Sequence, residues 1–314
     1  MDDTDTRVHE LDAERSRLEA MAFRMLGTRA EAEDAVQEGF ARFLSMSAHQ
    51  QAEVRVPAAW LTRVVSRICL DVLGSARRTR EHYVGEWLPE PLPASALPQA
   101  PEAVDPERAA VLAESVSTAL LVVLESLTPA ERVVFVLREV FAVPFAEVAE
   151  ALDRSVDACR QLAVSARRRL AHRGAWHPGD GVATSSGASA ATSRAARLHE
   201  HDQLVEAFAL ATQSGDLDAL TRILVAGAKL RSDGNGMRGI ARRPVVGADN
   251  VARFLLGIAA RRHDIIFERS SSADGACLVV RNRSGLEAVL NVGTARGKIT
   301  DVWIVLVPEK LTMW

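Results

Sequence analysis

Cysteine is scarce in this sequence of 314 residues, which contains only Cys69, Cys159 and Cys277. The three cysteines lie far apart and form no CxxC pair, so the sequence favours neither a disulfide framework nor a zinc site. Isolated cysteines of this kind are typical of buried free thiols. We therefore expect no bound metal, and no residue pattern indicates a cofactor.

Long apolar runs and an excess of positive charge are also missing. No apolar stretch approaches the roughly eighteen residues that a membrane-spanning helix needs, and the acidic start MDDTDTRVHELDAERSR has no apolar signal region. We expect a cytoplasmic protein without a membrane partner. The formal net charge of -3 excludes a uniformly basic coat for nucleic acid, so any such binding must come from local arginine clusters.

Two composition breaks divide the chain into three pieces that we expect to fold. The first break, 85–106, is rich in proline, and the second, 174–197, is rich in glycine, serine and alanine. The folded pieces are then 9–84, 107–173 and 198–314. A Gly/Ser/Ala segment is a flexible tether that does not fix the geometry of the pieces it joins.

Apolar spacing predicts helices in the first two pieces and an α+β third piece. Apolar residues recur at helical spacing in 32–43 and 61–72, and Pro57 suits the first turn of the second of these helices. Thr128, Pro129 and Glu131 form the pattern of a capping box at a helix start. The third piece opens with a helix and continues with the β-branched runs ACLVVRNRS, LEAVLNVGT and KITDVWIVLVP.

The stretch FAEVAEALDRSVDACRQLAVSARRRL predicts two short helices joined by a tight turn at Asp153-Arg154, with Ser155 capping the second helix. This is the pattern of a helix-turn-helix. Its second helix carries side chains suited to base edges and phosphates, namely Arg160, Gln161, Arg167, Arg168 and Arg169. The alternative is an ordinary helical hairpin with a solvated basic face.

The stretch EAEDAVQEGFARFL places Asp34, Gln37 and Glu38 on one face of a helix whose other face is apolar. Like charges at i and i+4, as in Asp34 and Glu38, cost about 0.2–0.5 kcal/mol in an isolated helix. A basic protein partner would relieve that cost. The alternative is a solvated acidic face of the kind found on many helices.

A third cluster combines an aromatic residue with arginines in AAWLTRVVSRICLDVLGSARRTREH. Its members are Trp60, Arg63, Arg67, Arg77, Arg78 and Arg80. Basic residues interleaved with an aromatic ring suit single-stranded nucleic acid, because they neutralise phosphates and provide a stacking platform. The alternative is a core tryptophan with scattered surface arginines.

Taken in order, LGTRAEAEDAVQEGFARF, PAAWLTRVVSRICLDVL and LTPAERVVFVLREVFAVPFAEVAEALDRS closely resemble a bacterial extracytoplasmic-function sigma factor over residues 9–172. The resemblance implies that core RNA polymerase and promoter DNA are the partners. It assigns Asp34, Gln37 and Glu38 to the polymerase clamp helices. It also assigns the 60–80 helix to the minus-ten element and the 155–170 helix to the minus-thirty-five element.

The third piece resembles the SnoaL-like family, whose α+β domains fold a curved sheet around a pocket, as in ketosteroid isomerase. The similar stretches are LVEAFALATQSGDLDALTRIL and RSDGNGMRGIARRPVVGADNVARFLLGI. The fold class implied is multidomain, with two all-α sigma domains followed by an α+β SnoaL-like cone domain. Such a pocket could hold an unknown small ligand.

This order of domains resembles one subgroup of these sigma factors, in which the extension acts in cis in place of a separate anti-sigma protein. The subgroup carries WLPEP in the linker, a DGGGK-like turn and an NPDKL-like end. The first matches Trp87, Leu88, Pro89, Glu90 and Pro91, the second Asp233, Gly234 and Gly236, and the third Pro308, Lys310 and Leu311. The resemblance implies that these residues dock the linker on the C-terminal domain.

The leading hypothesis is therefore a promoter-specificity subunit of RNA polymerase that is regulated by its own C-terminal domain and is not an enzyme. A second hypothesis makes that domain a working isomerase, cyclase or hydrolase with Asp233, His263 or Asp301 as general acid or base. It also includes a ligand-sensing module without catalysis. A third, a repressor that uses the helix-turn-helix alone, leaves the Asp34 face and the Trp60 helix unexplained.

Overall fold

The computed structural model describes residues 3–80, 83–96, 117–172, 187–237, 240–262 and 264–314. Contacts divide the chain into two compact units. The first comprises Met1–Glu81 and Leu120–Val182, and the second comprises His82–Ala119 and Ala183–Trp314. The proline-rich segment therefore groups with the C-terminal part of the chain.

The first part of the first unit is helical, as the apolar spacing predicts. Its helices are α1 (Asp3–Leu26), α2 (Arg29–Leu44), α3 (Ala48–Glu53) and α4 (Pro57–Arg80), and α4 begins at the predicted proline. Their shared core includes Met21, Val36 and Val65, which are fully buried. A Cβ at Gly39 would lie 2.7 Å from Val65 Cγ2, so glycine at this position allows α2 to approach α4 closely.

The second part of the first unit contains the predicted helix-turn-helix. Helix α5 (Thr118–Leu124) leads to α6 (Pro129–Phe135), which continues as a wider π turn over Val136–Val140. The predicted capping box is confirmed, because Thr128 Oγ1 accepts from Glu131 N and the Glu131 carboxylate accepts from Thr128 N at 2.9 Å. Helices α7 (Phe145–Leu152) and α8 (Val156–His172) follow.

The second unit is the predicted α+β domain. After α9 (Gly187–Ser214) and α10 (Leu217–Ile223) it contains β1 (Leu224–Asp233), β2 (Val245–Val246), α11 (Ala248–Ala259), β3 (Ile266–Ser272), β4 (Gly275–Asn282), β5 (Gly285–Ala295) and β6 (Lys298–Val305). Short 3₁₀ turns form at Ala94–Ala96 and Pro308–Lys310. The three predicted β-branched runs are β4, β5 and β6.

The strands form one sheet in the order β2-β1-β6-β5-β4-β3. Strands β1 and β6 are parallel, and the remaining neighbours are antiparallel. Helices α9, α10 and α11 contribute to the apolar core that covers one face of the sheet, with Phe208, Leu220 and Val251 fully or almost fully buried. Each such side chain contributes about 1.5–3 kcal/mol by leaving water.

Helix α9 begins within the segment that composition predicts to be a flexible tether, because residues 187–197 are helical. This stretch reads GASAATSRAAR and contains several alanines. Alanine has the highest intrinsic helix propensity of all residues. The alanines of this stretch therefore favour a helix. The third folded piece starts earlier than its apolar residues indicate.

Candidate functional site

Helix α2 presents Asp34, Gln37 and Glu38 to solvent, as the sequence predicts. The opposite face of the helix buries Ala32, Ala35, Val36, Gly39 and Phe40 against the rest of the unit. The Glu38 carboxylate accepts a hydrogen bond from Arg42 Nε at 2.8 Å. This pair offsets the repulsion between Asp34 and Glu38, and it leaves an exposed face with two carboxylates and an amide.

The arginines of α4 face acidic residues of the helix-turn-helix. Arg63 lies 3.5 Å from Glu150, and Arg67 lies 3.5 Å from Asp153. All four side chains are substantially exposed, so each pair is worth only about 0–1 kcal/mol. Phosphates could therefore displace these carboxylates at little cost.

Trp60 is half-buried on α4 and packs against Phe43, with ring centroids 5.4 Å apart. Packing of this kind is what the core alternative for Trp60 predicts, although part of the ring remains accessible. Arg77, Arg78 and Arg80 belong to the last turns of α4. Their side chains lie outside the part of the structure that is described.

The turn of the helix-turn-helix forms at the predicted residues. Asp153 adopts the left-handed conformation with φ 54°, which asparagine and aspartate tolerate better than most residues. The Ser155 side chain then accepts from Ala158 N at 3.2 Å, which confirms the predicted cap of α8. Inside the motif, Val148 and Cys159 are fully buried.

The predicted DNA-reading residues of α8 divide into two groups. Arg160, Gln161 and Arg168 are exposed, and Arg160 pairs with Asp157 at 2.8 Å. Arg167 lies 3.2 Å from Glu139, and Arg169 lies 3.3 Å from Glu131. The second pair of arginines therefore also anchors α8 to the helix before the motif.

Glu131 is the buried centre of that anchor. Burial acts to raise the pKa of its carboxyl, but hydrogen bonds from Ser165 and Thr128 and the charge of Arg169 outweigh burial and lower the pKa below its ordinary value. Ser165 Oγ donates to Glu131 Oε1 at 2.6 Å. Ser165 thus has a structural role in the packing of α8 on α6.

Asp233, the last residue of β1, binds the proline-rich segment within the second unit. Its fully buried carboxylate accepts from Leu88 N at 2.9 Å and from the Tyr83 hydroxyl. Lys310 Nζ lies 2.7 Å from the same carboxylate and donates to Leu88 O at 2.5 Å. Both backbone polar groups of Leu88 are therefore satisfied by one buried ion pair.

Lys310 also lies over the ring of Trp87, with Nζ 4.1 Å from the ring centroid. Lys310 is only 7% exposed, so the aromatic ring and Asp233 replace water around its ammonium group. A cation over a tryptophan face contributes about 0.5–2 kcal/mol. We use the term linker clasp for the five residues Tyr83, Trp87, Leu88, Asp233 and Lys310.

The residues that follow WLPEP contact the edge of the sheet at the end of β3. Within WLPEP, Pro89, Glu90 and Pro91 are buried. Ala273 N donates to Leu92 O at 3.0 Å, and Pro93 pairs with Ser272 in an antiparallel bridge. Proline lacks the donor that an inner strand needs, so a proline-rich strand is compatible only with an edge position.

The turn that follows Asp233 requires its glycines. A Cβ at Gly234 would lie 2.4 Å from Ile240 Cδ1, so a side chain at this position would displace that neighbour. Gly236 has φ 85°, a conformation that other residues rarely adopt, and a Cβ here would meet Val84 at 3.4 Å. Both glycines of the predicted turn therefore contribute to its close packing.

The comparisons with known proteins agree with this geometry. The Sigma-70 region 2 family matches residues 11–79, and the Sigma-70 region 4 family matches residues 117–170. The ECF RNA polymerase sigma factor SigJ of Mycobacterium tuberculosis is 36% identical, with 97% of this chain and 93% of that protein covered. The chain belongs to the extracytoplasmic-function RNA polymerase sigma factors.

Two further similarities extend over nearly the whole length of this sigma factor. The probable ECF RNA polymerase sigma factor SigI of the same species is 34% identical, with 95% of this chain and 92% of that protein covered. The crystal structure of Mycobacterium tuberculosis SigJ aligns with a TM-score of 0.71 at 33% identity and covers 98% of both chains. Two helical sigma domains thus precede a SnoaL-like α+β domain, as the sequence predicts.

Sequence reasoning did not find a second contact within the second unit of this sigma factor, between the start of α5 and the C-terminal domain. Thr118 N and Thr118 Oγ1 donate to the carboxylate of Asp274, at 2.9 Å and 2.5 Å. Asn291 Nδ2 donates to Thr118 Oγ1 at 3.0 Å. Burial raises the pKa of the Asp274 carboxyl, although the hydrogen bonds from Thr118 oppose the effect.

A cavity of about 670 Å³ opens in the same domain. Side chains from α11 and the sheet line it, among them Phe254, Leu255, Phe267, Leu290 and Ile304. The neighbours of two clasp residues also line it, namely Ser232 on β1 and Pro308 and Leu311 after β6. The cavity is therefore mainly apolar, and part of its wall is adjacent to the linker clasp.

Of the candidate catalytic residues, neither Asp233 nor Asp301 lines this cavity. Asp233 belongs to the clasp, and Asp301 lies half-exposed on β6. His263 is outside the described residues. Glu287 lines the cavity, but it already accepts hydrogen bonds from Arg262 and Asn282.

The described residues contain neither a candidate membrane-spanning helix nor a candidate metal cluster. No helix in the described ranges has both the length and the apolar character that crossing a bilayer requires. In those ranges, no group of three or more His, Cys, Asp and Glu residues is placed to hold a metal ion. All three cysteines are free and buried, as the sequence predicts, and burial raises the pKa of Cys69 and of Cys277 to about 12.

Proposed function

We propose that the C-terminal SnoaL-like domain regulates this sigma factor in cis by holding the linker between its two sigma domains. The linker clasp is the observation that carries the proposal, because it joins residues 83–88 to the end of β1 and to the turn after β6 of the C-terminal domain. The bond between Thr118 and Asp274 holds the start of α5, which follows the linker in the sequence. A domain that holds the chain on both sides of the linker controls how far the linker can extend.

The energetics of the clasp support a switch with two discrete states. Removing one partner of a buried ion pair leaves an uncompensated charge and costs about 3–5 kcal/mol. Asp233 and Lys310 are 0% and 7% exposed, so they stay buried together or separate together. Partial opening would leave a buried charge without its partner, and the clasp therefore opens as a unit.

The sigma domains supply the contacts with polymerase and promoter in this proposal. The exposed face of Asp34, Gln37 and Glu38 binds the polymerase clamp helices. The residues Trp60, Arg63, Arg67, Arg77, Arg78 and Arg80 act at the minus-ten element, and Ser155, Arg160, Gln161, Arg167, Arg168 and Arg169 act at the minus-thirty-five element. Because core polymerase is the partner, the site of action is the cytoplasm.

The domain boundaries follow from the same proposal. Residues 9–84 and 107–173 are the two sigma domains, 85–106 is the regulated linker, and 198–314 is the regulatory domain. Segment 174–197 joins the second sigma domain to the regulatory domain, and α9 extends into it from residue 187. The C-terminal domain thus acts on a linker from which it is separated in sequence by a whole sigma domain.

Two carboxylates of the C-terminal domain favour a sensing role over catalysis, because they are already engaged in hydrogen bonds within the protein. Asp233 is occupied by three clasp residues, and Glu287 by Arg262 and Asn282. A general acid or base needs a proton-transfer partner in the substrate within hydrogen-bond reach. The apolar cavity can bind a ligand without a catalytic role for these carboxylates.

Run-off transcription with core polymerase tests the regulation. Trp87→Ala and Lys310→Gln should change transcript yield in the same direction and should speed hydrogen exchange at the Leu88 amide, because both open the clasp. Glu86→Ala is the matched control on the same segment, since its contact with Arg231 is long, at 3.9 Å, and partly exposed. Faster exchange at Leu88 with unchanged transcription would refute regulation through the linker.

A further inference from the structure

We propose that the cavity of the C-terminal domain binds a neutral, apolar small molecule with one hydroxyl or amine donor, and that this ligand favours the closed linker clasp. The coupling part rests on the proposed regulation in cis, whereas the binding part does not. The volume of about 670 Å³ falls within the range of about 300–1,000 Å³ that is typical of small-molecule sites. Its mainly apolar lining selects a hydrocarbon ring system or chain.

Two buried hydroxyl groups of the cavity lining select a hydrogen-bond donor. They belong to Thr212 and Ser232, which are only 2% and 3% exposed. Thr212 Oγ1 donates its proton to Phe208 O at 2.7 Å, and Ser232 Oγ donates to Ala241 O at 3.0 Å. Each hydroxyl can therefore act toward a ligand only as a hydrogen-bond acceptor. A ligand that bonds to either hydroxyl needs an O–H or N–H group.

Two of the charged residues in the described part of the lining are paired. Arg262 donates to Asp264 at 3.3 Å and to Glu287 at 2.5 Å, and Asn282 also donates to Glu287. Arg261 also lines the cavity, but it is exposed, so solvent screens its charge. The described lining therefore gives a carboxylate or sulfonate no strong partner.

The cavity wall and the clasp use neighbouring residues of the same two segments. On β1, Ser232 lines the cavity and the next residue, Asp233, enters the clasp, because successive side chains of a strand point to opposite faces. At the turn after β6, Pro308 and Leu311 line the cavity while Lys310 reaches the clasp. A displacement of either segment changes both sites.

The direction of the coupling between ligand and clasp depends on whether the closed or the open clasp completes the wall of the cavity. In the closed state, Lys310 is held by Asp233 and Leu88, and this fixes Pro308 and Leu311 as part of the lining. A ligand that packs against these two residues gains contacts that an opened turn would not provide. A ligand shifts an equilibrium only by its difference in affinity for the two states, so it stabilises the closed clasp.

Three probes with related aromatic skeletons test the ligand class on the full chain. N-phenyl-1-naphthylamine is neutral and has one N–H group, 8-anilino-1-naphthalenesulfonate adds a negative charge, and 1-phenylnaphthalene lacks the N–H. We expect the first to bind with the lowest Kd, measured by direct excitation of the probe and by competition. Equal or tighter binding of the sulfonate would overturn neutrality, and equal binding of the hydrocarbon would overturn the need for a donor.

Two substitutions locate the probe. Ala288→Phe fills the cavity from β5, where Ala288 is 3% exposed, and should remove most of the binding. If that variant does not fold, Ala259→Trp narrows the cavity from a half-buried position at the end of α11 and should weaken binding as well. Unchanged affinity in a folded variant would show that the probe binds elsewhere.

The coupling is tested by a residue that does not line the cavity. Trp87→Ala should raise the Kd of N-phenyl-1-naphthylamine by about fivefold or more, the lower end of typical allosteric couplings. Trp60→Ala removes the same kind of side chain from the first unit and should leave the Kd unchanged. Reciprocally, a saturating amount of the probe should slow hydrogen exchange at the Leu88 amide.

The outcomes separate this inference from the proposed function. If Trp87→Ala changes transcription but leaves the probe affinity unchanged, regulation through the linker stands and the coupling to the cavity is overturned. If it changes the affinity but not transcription, the coupling stands and the proposed function fails. Equal affinity losses in Trp87→Ala and Trp60→Ala would indicate general destabilisation and would overturn the coupling.

Discussion

The guanidinium of Arg67 lies 3.5 Å from the carboxylate of Asp153, so a residue expected to act at the minus-ten element faces the turn of the helix-turn-helix. The neighbouring pair of Arg63 and Glu150 repeats this arrangement one turn earlier on α4. In this arrangement two carboxylates of the second sigma domain occupy two arginines that we propose to contact DNA phosphates. Under that proposal, promoter binding breaks both pairs.

Neutralising Asp153 should therefore increase the affinity of the free protein for promoter DNA. Asp153→Asn keeps a residue that tolerates the φ of 54° and removes the charge that competes with phosphate for Arg67. We expect a gain of about 0.2–1 kcal/mol, the range for an exposed ion pair, in fluorescence anisotropy with a labelled promoter duplex. Glu147→Gln makes the same charge change at an exposed position of α7. Equal gains in both variants would assign the effect to net charge alone.

Charge reversal on α2 should abolish binding to core polymerase. Asp34→Lys with Glu38→Lys replaces two exposed carboxylates, and because neither is part of the core, the variant should keep its helical circular dichroism. Pull-down or surface plasmon resonance with core polymerase measures the loss. Glu53→Lys, on the exposed face of α3, is the control for added positive charge. Wild-type affinity in the double variant would contradict the assignment of this face.

Loss of Arg160 should weaken promoter selection at the minus-thirty-five element. Arg160→Ala removes an exposed guanidinium from α8 and should cost about 1–3 kcal/mol on the specific sequence, the value of one good base contact. Binding to a scrambled duplex should change much less. Arg168→Ala is the comparison, because a phosphate contact weakens binding to both duplexes alike. If Arg160→Ala behaves in that way, Arg160 is a phosphate contact.

The stability of the contact between Thr118 and Asp274 should depend on pH, because the Asp274 carboxyl titrates. Its pKa is raised in the folded state, so the folded protein binds more protons than the unfolded chain above the ordinary pKa of 3.8. Stability from this group is therefore fully present at low pH and falls as pH rises. Asp274→Asn removes the titration and keeps one acceptor for Thr118. The Tm of the wild type minus that of the variant should fall as the pH rises above the ordinary pKa of 3.8, and a constant difference would contradict the raised pKa.

Local features of the fold could be predicted from the sequence, because their causes lie within a few residues. The capping box of Thr128 and Glu131, the start of α4 at Pro57 and the cap at Ser155 each depend on contacts three or four positions apart. Strands β4, β5 and β6 carry the β-branched runs that favour strands. Strand β1 reads LVAGAKLRSD and lacks such a run, so its pairing with β6 and β2 defines it.

The contacts of the candidate site were predictable only in part. The resemblance to a subgroup named most of the clasp residues, but no local signal links Thr118 to Asp274, which are 156 positions apart. The pairs of Arg63 with Glu150 and Arg67 with Asp153 also join residues that are far apart in the sequence, and they depend on packing of α4 against α7. Charge and spacing identify residues that can bind DNA, but they do not indicate which residues cover them in the free protein.

The parallel pairing of β1 with β6 gives the linker clasp a place in the order of synthesis and folding. Leu88 and Lys310 are 222 positions apart, so Leu88 leaves the ribosome long before its partner exists. Both sigma domains can fold during that interval while the linker is still unrestrained. The clasp closes only when β6 has joined the sheet and brought Lys310 to Asp233. A nascent chain that stops before β6 therefore carries both sigma domains without the restraint, and the clasp reports that the regulatory domain has been made and folded.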